Sequence, residues 1–322
     1  MGLSIQKKFI NVSVVGAGYM AEEHIKALKK FKQFKILGIM SKNNINAKKL
    51  AKKYKIKNVY KSINDLFLQT SSNLLIVAVS ETNVKNIIFK ALKYPWKIFC
   101  EKPLGLNFNE SKKIFQKANK LKRSNDITVG FNRRSYDVTK FVLSDIDKSK
   151  KRLIQIFDQQ NIYDKTVKKL PNPIKKNWMY ANSVHLIDYS NIFCRGKIIS
   201  STRNVFNLEG KSKVIIFTAK YNSGDKLIYN ALWSIPGPWS IVVSNQKKSY
   251  KFEPLENLKI KDFKSRKYFT VKINTQDEKY KVKTGLFYQT RELLNFAKNK
   301  KHKLCNLAES HKTMLLTKKI YT

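Results

Sequence analysis

A chain of 322 residues with 42% hydrophobic content is long enough for two domains that each bury a core, and too apolar to be disordered. Its formal net charge of +43 is the usual footprint of nucleic-acid binding, yet the lysines are spread over nearly every predicted helix, as in Lys48, Lys49, Lys52 and Lys53 or Lys298, Lys300, Lys301 and Lys303. No zinc-finger spacing, RNP-type aromatic strand or separate basic arm accompanies them, which argues against specific nucleic-acid recognition and leaves a field that attracts anionic ligands such as phosphorylated cofactors.

The first predicted strand, Phe9 to Val15, runs into Gly16, Ala17, Gly18, Tyr19, Met20 and Ala21, a G-x-G-x-x-A pattern followed by a helix from Ala21 to Lys30. In that context Gly16 allows the turn, Gly18 lets the backbone approach a pyrophosphate, and Ala21 lets the helix pack on the sheet. Tyr19 and Met20 then lie beside the phosphates at the helix N-terminus. A strand, turn and helix with no ligand is the alternative. On this reading Gly16→Val abolishes cofactor binding while the fold stays largely intact. Lys7 and Lys8 before an apolar segment imitate a signal peptide, but the glycines fit a nucleotide loop better.

The second strand, Lys35 to Met40, ends in Ser41, Lys42 and Asn43, and no acidic residue occurs between Glu23 and Asp65. NAD enzymes place an Asp or Glu there for the ribose 2'-hydroxyl, so its absence favours NADP, with NAD possible. A helix over Asn46 to Lys55 precedes the strand Leu74 to Val79, the longest purely apolar run and far too short for a membrane span. Ser80 and Glu81 follow it, placed to meet a cofactor ribose. After a helix over Val84 to Lys93, the strand Lys97 to Cys100 leads into Glu101, Lys102 and Pro103 at what would be the carboxyl edge of the sheet. Lysine there can hold a substrate hydroxyl and favour its alkoxide, although the triplet could also be a surface turn. The helix Glu110 to Leu121 and the strand Ile127 to Gly130 complete a doubly wound parallel sheet, a Rossmann domain over residues 1–131.

Residues 132–322 read differently. Helices at Val138 to Leu143 and Ala181 to Phe193 flank a strand at Arg152 to Gln160, and strands follow at Lys213 to Tyr221, Lys226 to Ser234 and Trp239 to Ser244. Helices at Tyr288 to Lys298 and Leu307 to Lys319 close the chain. This predicts an α+β domain with a large, mostly antiparallel open sheet. The three cysteines, Cys100, Cys194 and Cys305, are odd in number and lack metal-ligand spacing, so reduced, buried thiols, no metal site and a cytoplasmic protein without a membrane partner are expected.

Four motifs in order resemble the glucose-fructose oxidoreductase and inositol dehydrogenase family, Gfo/Idh/MocA: Gly16 to Ala21, Glu101-Lys102-Pro103, Gly130-Phe131-Asn132-Arg133-Arg134, and Asn182 to Asp188. The resemblance implies hydride transfer with NAD(P) at a carbon of a sugar, cyclitol or nucleotide sugar, and a homo-oligomer formed through the C-terminal sheet. It makes Lys102 the substrate-orienting lysine and His185 the proton-transferring residue, with Asp188 one helical turn on to hold the ring or touch substrate. Many members carry an Asp four residues before the histidine, where this chain has Ala181; Asn182 can substitute as a neutral hydrogen-bonding group. Ser80 and Glu81 replace a frequent Pro-Asn, as in the surface-polysaccharide and nucleotide-sugar branch. Asn132, Arg133, Tyr136, Trp178 and Tyr180 are then candidates for the substrate wall, aromatics for a sugar or base face and Arg133 or Arg134 for a phosphate. A non-catalytic sensor that keeps the cofactor fold is the alternative that Ala181 permits.

Overall fold

Apolar strands that alternate with helices form a parallel sheet because both faces of each strand can then be covered. The computed structural model describes residues 9–210 and 212–322, so Lys7 and Lys8 lie outside the described residues. Its first sheet contains β1 (Ile10–Val15), β2 (Phe34–Met40), β3 (Asn58–Tyr60), β4 (Leu74–Val77), β5 (Lys97–Glu101) and β6 (Ile127–Gly130), in the order β6-β5-β4-β1-β2-β3 and parallel throughout. The connecting helices are α1 (Tyr19–Leu28), α2 (Asn44–Tyr54), α3 (Ile63–Leu68), α4 (Val84–Ala91) and α5 (Phe108–Lys120). Asn43, Ser62 and Asn107 start α2, α3 and α5 by accepting a backbone N–H three residues on. The strand order reverses between β1 and β4, and ligands of such sheets bind beyond the carboxyl ends at that point.

The second sheet comprises β7 (Leu153–Gln160), β8 (Ile198–Asn207), β9 (Lys213–Tyr221), β10 (Lys226–Trp233), β11 (Trp239–Ser244), β12 (Lys248–Phe252), β13 (Leu258–Asp262) and β14 (Phe269–Val271). Its order is β14-β13-β12-β11-β7-β10-β9-β8, and only β7 and β10 run parallel. Tyr189 and Phe193 of the helix Val184–Phe193 pack with Ile154, Ile156, Phe217 and Phe252 of the sheet to make the core. Sequence patterning missed β8 and β12 to β14. Apart from Ile198, every residue of β8 is exposed, so no half-buried alternation marks it.

The described residues up to Asn132 pack with Gln276–His311 as one unit, and Arg133–Thr275 with Lys312–Thr322 as the other. Assigning 132–322 as a whole to the second domain is therefore corrected. Leu293 and Phe296, from the helix Leu286–Ala297, share a core with Ile10, Val12, Ile25 and Leu28, and a short strand, β15 (Cys305–Asn306), adds to β6 in antiparallel fashion. Packing between segments so far apart in sequence leaves no local pattern. The three cysteines are free and buried, and burial pushes the Cys194 thiol up to about 12. Among the described residues no helix is long and apolar enough to cross a membrane, and no group of three His, Cys, Asp or Glu side chains could hold a metal ion.

Candidate active site

The carboxyl ends of β1, β2, β4 and β5 border a cleft of about 640 Å³. Gly16, Gly18, Met20, Ser41, Lys42, Ser80, Glu81, Glu101 and Lys102 all line it. Tyr19 is not among the lining residues; it is exposed, with the Lys283 ammonium 5.0 Å from its ring centre.

The two loop glycines have different causes. Gly16 sits at φ +118°, and a Cβ there would lie 1.9 Å from the Ala78 carbonyl oxygen, so the protein's own backbone requires it. Gly18 has φ −90° and ψ −174°, an extended conformation open to most residues, and a Cβ there would meet nothing within 4 Å. Protein packing does not explain Gly18. The open space lies at the start of α1, whose first N–H groups have no side-chain cap, and that is the cradle a pyrophosphate needs. The expectation that Gly16→Val spares the fold is corrected by the same geometry.

At the end of β2, Ser41 and Lys42 line the cleft beside Asn43, whose side chain caps α2. Lys90 and Asn86 of α4 also line it, and sequence reading missed both; their spacing of four residues places them on one helix face. Ser80 is tied to Asn83 by a 2.8 Å hydrogen bond and to Thr82 by one of 3.1 Å, which fixes the turn that carries Glu81.

Glu101 is held from behind. Its Oε1 lies 2.5 Å from Nε2 of His24, a buried α1 residue that the sequence reading did not single out, and its Oε2 accepts the Lys102 backbone N–H at 3.2 Å. The pair couples the glycine-loop helix to the end of β5, so the backbone of Lys102 is fixed where it enters the cleft. Asn132, also in this unit, is buried and donates to the Thr284 carbonyl at 2.9 Å.

In the second unit, His185 lies in the first turn of the helix Val184–Phe193 and is 8% exposed. Asp188 does not hold its ring. The Asp188 carboxylate accepts Arg134 Nε at 2.7 Å, Arg134 Nη2 at 2.8 Å and the Thr313 hydroxyl at 2.8 Å, a bidentate ion pair that also removes Arg134 as a phosphate clamp. Asp188→Ala is expected to lower stability by about 3–5 kcal/mol, because it leaves a largely buried guanidinium without its carboxylate; urea denaturation measures this. Tyr136 is buried and donates to Glu256 at 3.1 Å, and burial pushes its phenol up to about 12, so it is a packing residue rather than an exposed wall. Tyr180 is likewise buried. Trp178 and Asn182 both donate to Gln160 Oε1, at 2.7 and 2.9 Å. The Arg133 guanidinium lies 4.5 Å from the Trp239 ring centre, and its buried Nε and Nη1 have no hydrogen-bond partner among the described residues.

The sequence of residues 10–131 matches the oxidoreductase family GFO_IDH_MocA, NAD-binding Rossmann fold. The match covers the nucleotide-binding sheet and its helices and ends at Phe131. Among solved structures, a dehydrogenase (MviM) from Clostridium difficile is 17% identical, with a TM-score of 0.78 over 97% of this chain and 98% of that one. UDP-N-acetylglucosamine 3-dehydrogenase GnnA from Acidithiobacillus ferrooxidans is 11% identical, with a TM-score of 0.75 over 97% and 96%. Levoglucosan dehydrogenase in complex with NADH is 15% identical, with a TM-score of 0.77 over 97% and 95%. At such identities the likeness to these structures is one of fold. No curated protein matches the chain in sequence.

Proposed function

We propose that the chain is a nicotinamide-dependent oxidoreductase acting on a CH–OH group of a sugar, cyclitol or nucleotide sugar. The observation that carries this reading is the open space at Gly18 above the uncapped start of α1, in one cleft with Lys102. When bound, the dinucleotide supplies the hydride acceptor or donor. Lys102 holds the reacting oxygen and stabilises its negative charge, and His185 is the residue to exchange the hydroxyl proton, neutral imidazole being suited to that work near neutral pH. Arg133 favours a nucleotide sugar within this class, because its buried Nε and Nη1, without an acceptor among the described residues, suit a substrate phosphate. Levoglucosan dehydrogenase and UDP-N-acetylglucosamine 3-dehydrogenase share the fold, which fits a sugar or nucleotide-sugar substrate and a place in polysaccharide or sugar synthesis. Incubation with NADP⁺ or NAD⁺ and a panel of such hydroxyl compounds tests the reading. Absence of turnover with every member defeats it in favour of a dinucleotide-binding sensor, the reading that Ala181 supports.

NADP is the proposed cofactor. Ser41 and Lys42 line the β2 end of the cleft, where no carboxylate stands to bind a 2'-hydroxyl or repel a 2'-phosphate. One charge-assisted contact of ~1.5–3 kcal/mol gives NADP(H) a preference on the order of 10- to 100-fold over NAD(H). Ser41→Asp is expected to reverse it by setting an anion against the phosphate. Calorimetry at fixed ionic strength checks both, and equal wild-type affinities would refute the assignment.

A further inference from the structure

Alternation along β7 turns Ile154, Ile156, Asp158 and Gln160 to its buried face, so the strand ends by placing a carboxylate and an amide in a core. A buried charge is tolerated only when its hydrogen-bonding capacity is met. Asp158 is 0% exposed, and none of its four described partners is a cation. Its Oδ1 accepts Gln160 Nε2 and, at 3.0 Å, Trp239 Nε1; its Oδ2 accepts the Tyr229 hydroxyl and, at 3.1 Å, the Tyr321 hydroxyl. Burial, with the Asp158 charge beside them, holds both phenols well above their ordinary range, so they remain donors.

This arrangement leaves Gln160 one orientation. A carboxylate that accepts must face Nε2, and the Trp178 indole, which can only donate, must face Oε1. The same Oε1 also accepts Asn182 Nδ2 at 2.9 Å, so the Asn182 amide is turned with Oδ1 as its remaining acceptor. Trp178 and Asn182 belong to a π-helical turn, Trp178 as the cap of Met179–Ser183, immediately before the helix that begins with Val184 and His185. Such turns inside helices are frequent at functional sites. The far side of the turn is tied to the same network, since the Tyr321 hydroxyl bonds Ser183 Oγ at 3.1 Å.

We propose that Asp158 and Gln160 are positioning residues, a relay from β7 that holds Asn182 with Oδ1 presented to a substrate hydroxyl. The proposal rests on the oxidoreductase reading. Charge on Asp158 polarises the Gln160 amide and strengthens Oε1 as an acceptor, so loss of that charge is felt by Trp178 and Asn182, which do not touch Asp158.

The 322-residue chain, labelled with ¹⁵N at tryptophan, has four indole signals: Trp96, Trp178, Trp233 and Trp239. In Asp158→Asn the Trp178 signal is expected to move upfield, while that of Trp96, bonded to Ser72 in the other unit, stays in place and reports that the fold survives. Gln160→Met, which keeps the length of the side chain and removes its hydrogen bonds to Asp158, Trp178 and Asn182, should move it further and serves if Asp158→Asn does not fold. With UDP-N-acetylglucosamine and the other panel hydroxyls as probes, kcat in Gln160→Met and Asn182→Ala should each fall about tenfold, as for one lost hydrogen bond, and by no more in the double variant. The dissociation constant for NADPH should not change. A Trp178 signal unmoved in both folded β7 variants, or additive losses in the double variant, would overturn the relay. If the wild type turns over no probe, the oxidoreductase reading fails, and the indole shift alone then upholds or overturns the relay.

Discussion

Lys102→Ala is expected to slow single-turnover hydride transfer by about 10²–10⁴-fold while NADPH binding stays nearly unchanged, the usual worth of one positioned acid, base or charge-stabilising group. The substitution is clean because the backbone at Lys102 is anchored independently of its side chain. The Lys102 N–H reaches Glu101 Oε2, and Glu101 is pinned by buried His24. A fall in binding equal to the fall in rate would mark Lys102 as a cofactor ligand instead. His185→Ala should produce a loss of the same order, and wild-type rates in both variants would defeat the proposed chemistry.

Gly18→Val is expected to weaken dinucleotide binding by at least about 100-fold and to change folding stability by no more than about 0.5 kcal/mol. Valine accepts the extended backbone found at position 18, and its Cβ meets no described atom within 4 Å, so the side chain fills the open space proposed for the pyrophosphate. Gly16→Val should instead unfold the loop, since its Cβ would overlap the Ala78 carbonyl at a positive φ. Calorimetry with NADP and NAD alongside thermal denaturation separates the two outcomes. Undiminished affinity in Gly18→Val would remove the dinucleotide from this cleft.

Legibility in the sequence followed the range of the interactions. The strands β1, β4 and β6 were readable because each is a short, largely buried apolar run, and the glycine loop because its spacing is local, whereas the three-residue, half-buried β3 went unread. NADP against NAD was arguable because the deciding position follows a strand end directly. Residues whose meaning depends on distant partners were misread. Asp188 looks like a neighbour of His185 on one helix face, yet it is claimed by Arg134, 54 residues upstream, and by Thr313. Tyr136 looks like a substrate aromatic until Glu256 and the surrounding core are in place. Asp158 and Gln160 drew no attention because a polar residue at a strand end ordinarily faces water, and only the register of β7 turns them inward.

The return of Gln276–His311 to the first unit sets an order of assembly. During synthesis β1 to β6 emerge before β7 to β14, yet Leu293 and Phe296, which cover Ile25 and Leu28, are made only after all of β7 to β14. A ribosome-bound chain stopped at residue 275 therefore exposes part of the α1 face, a surface suited to transient chaperone contact. The helix that carries the glycine loop is thus made well before the residues that cover it.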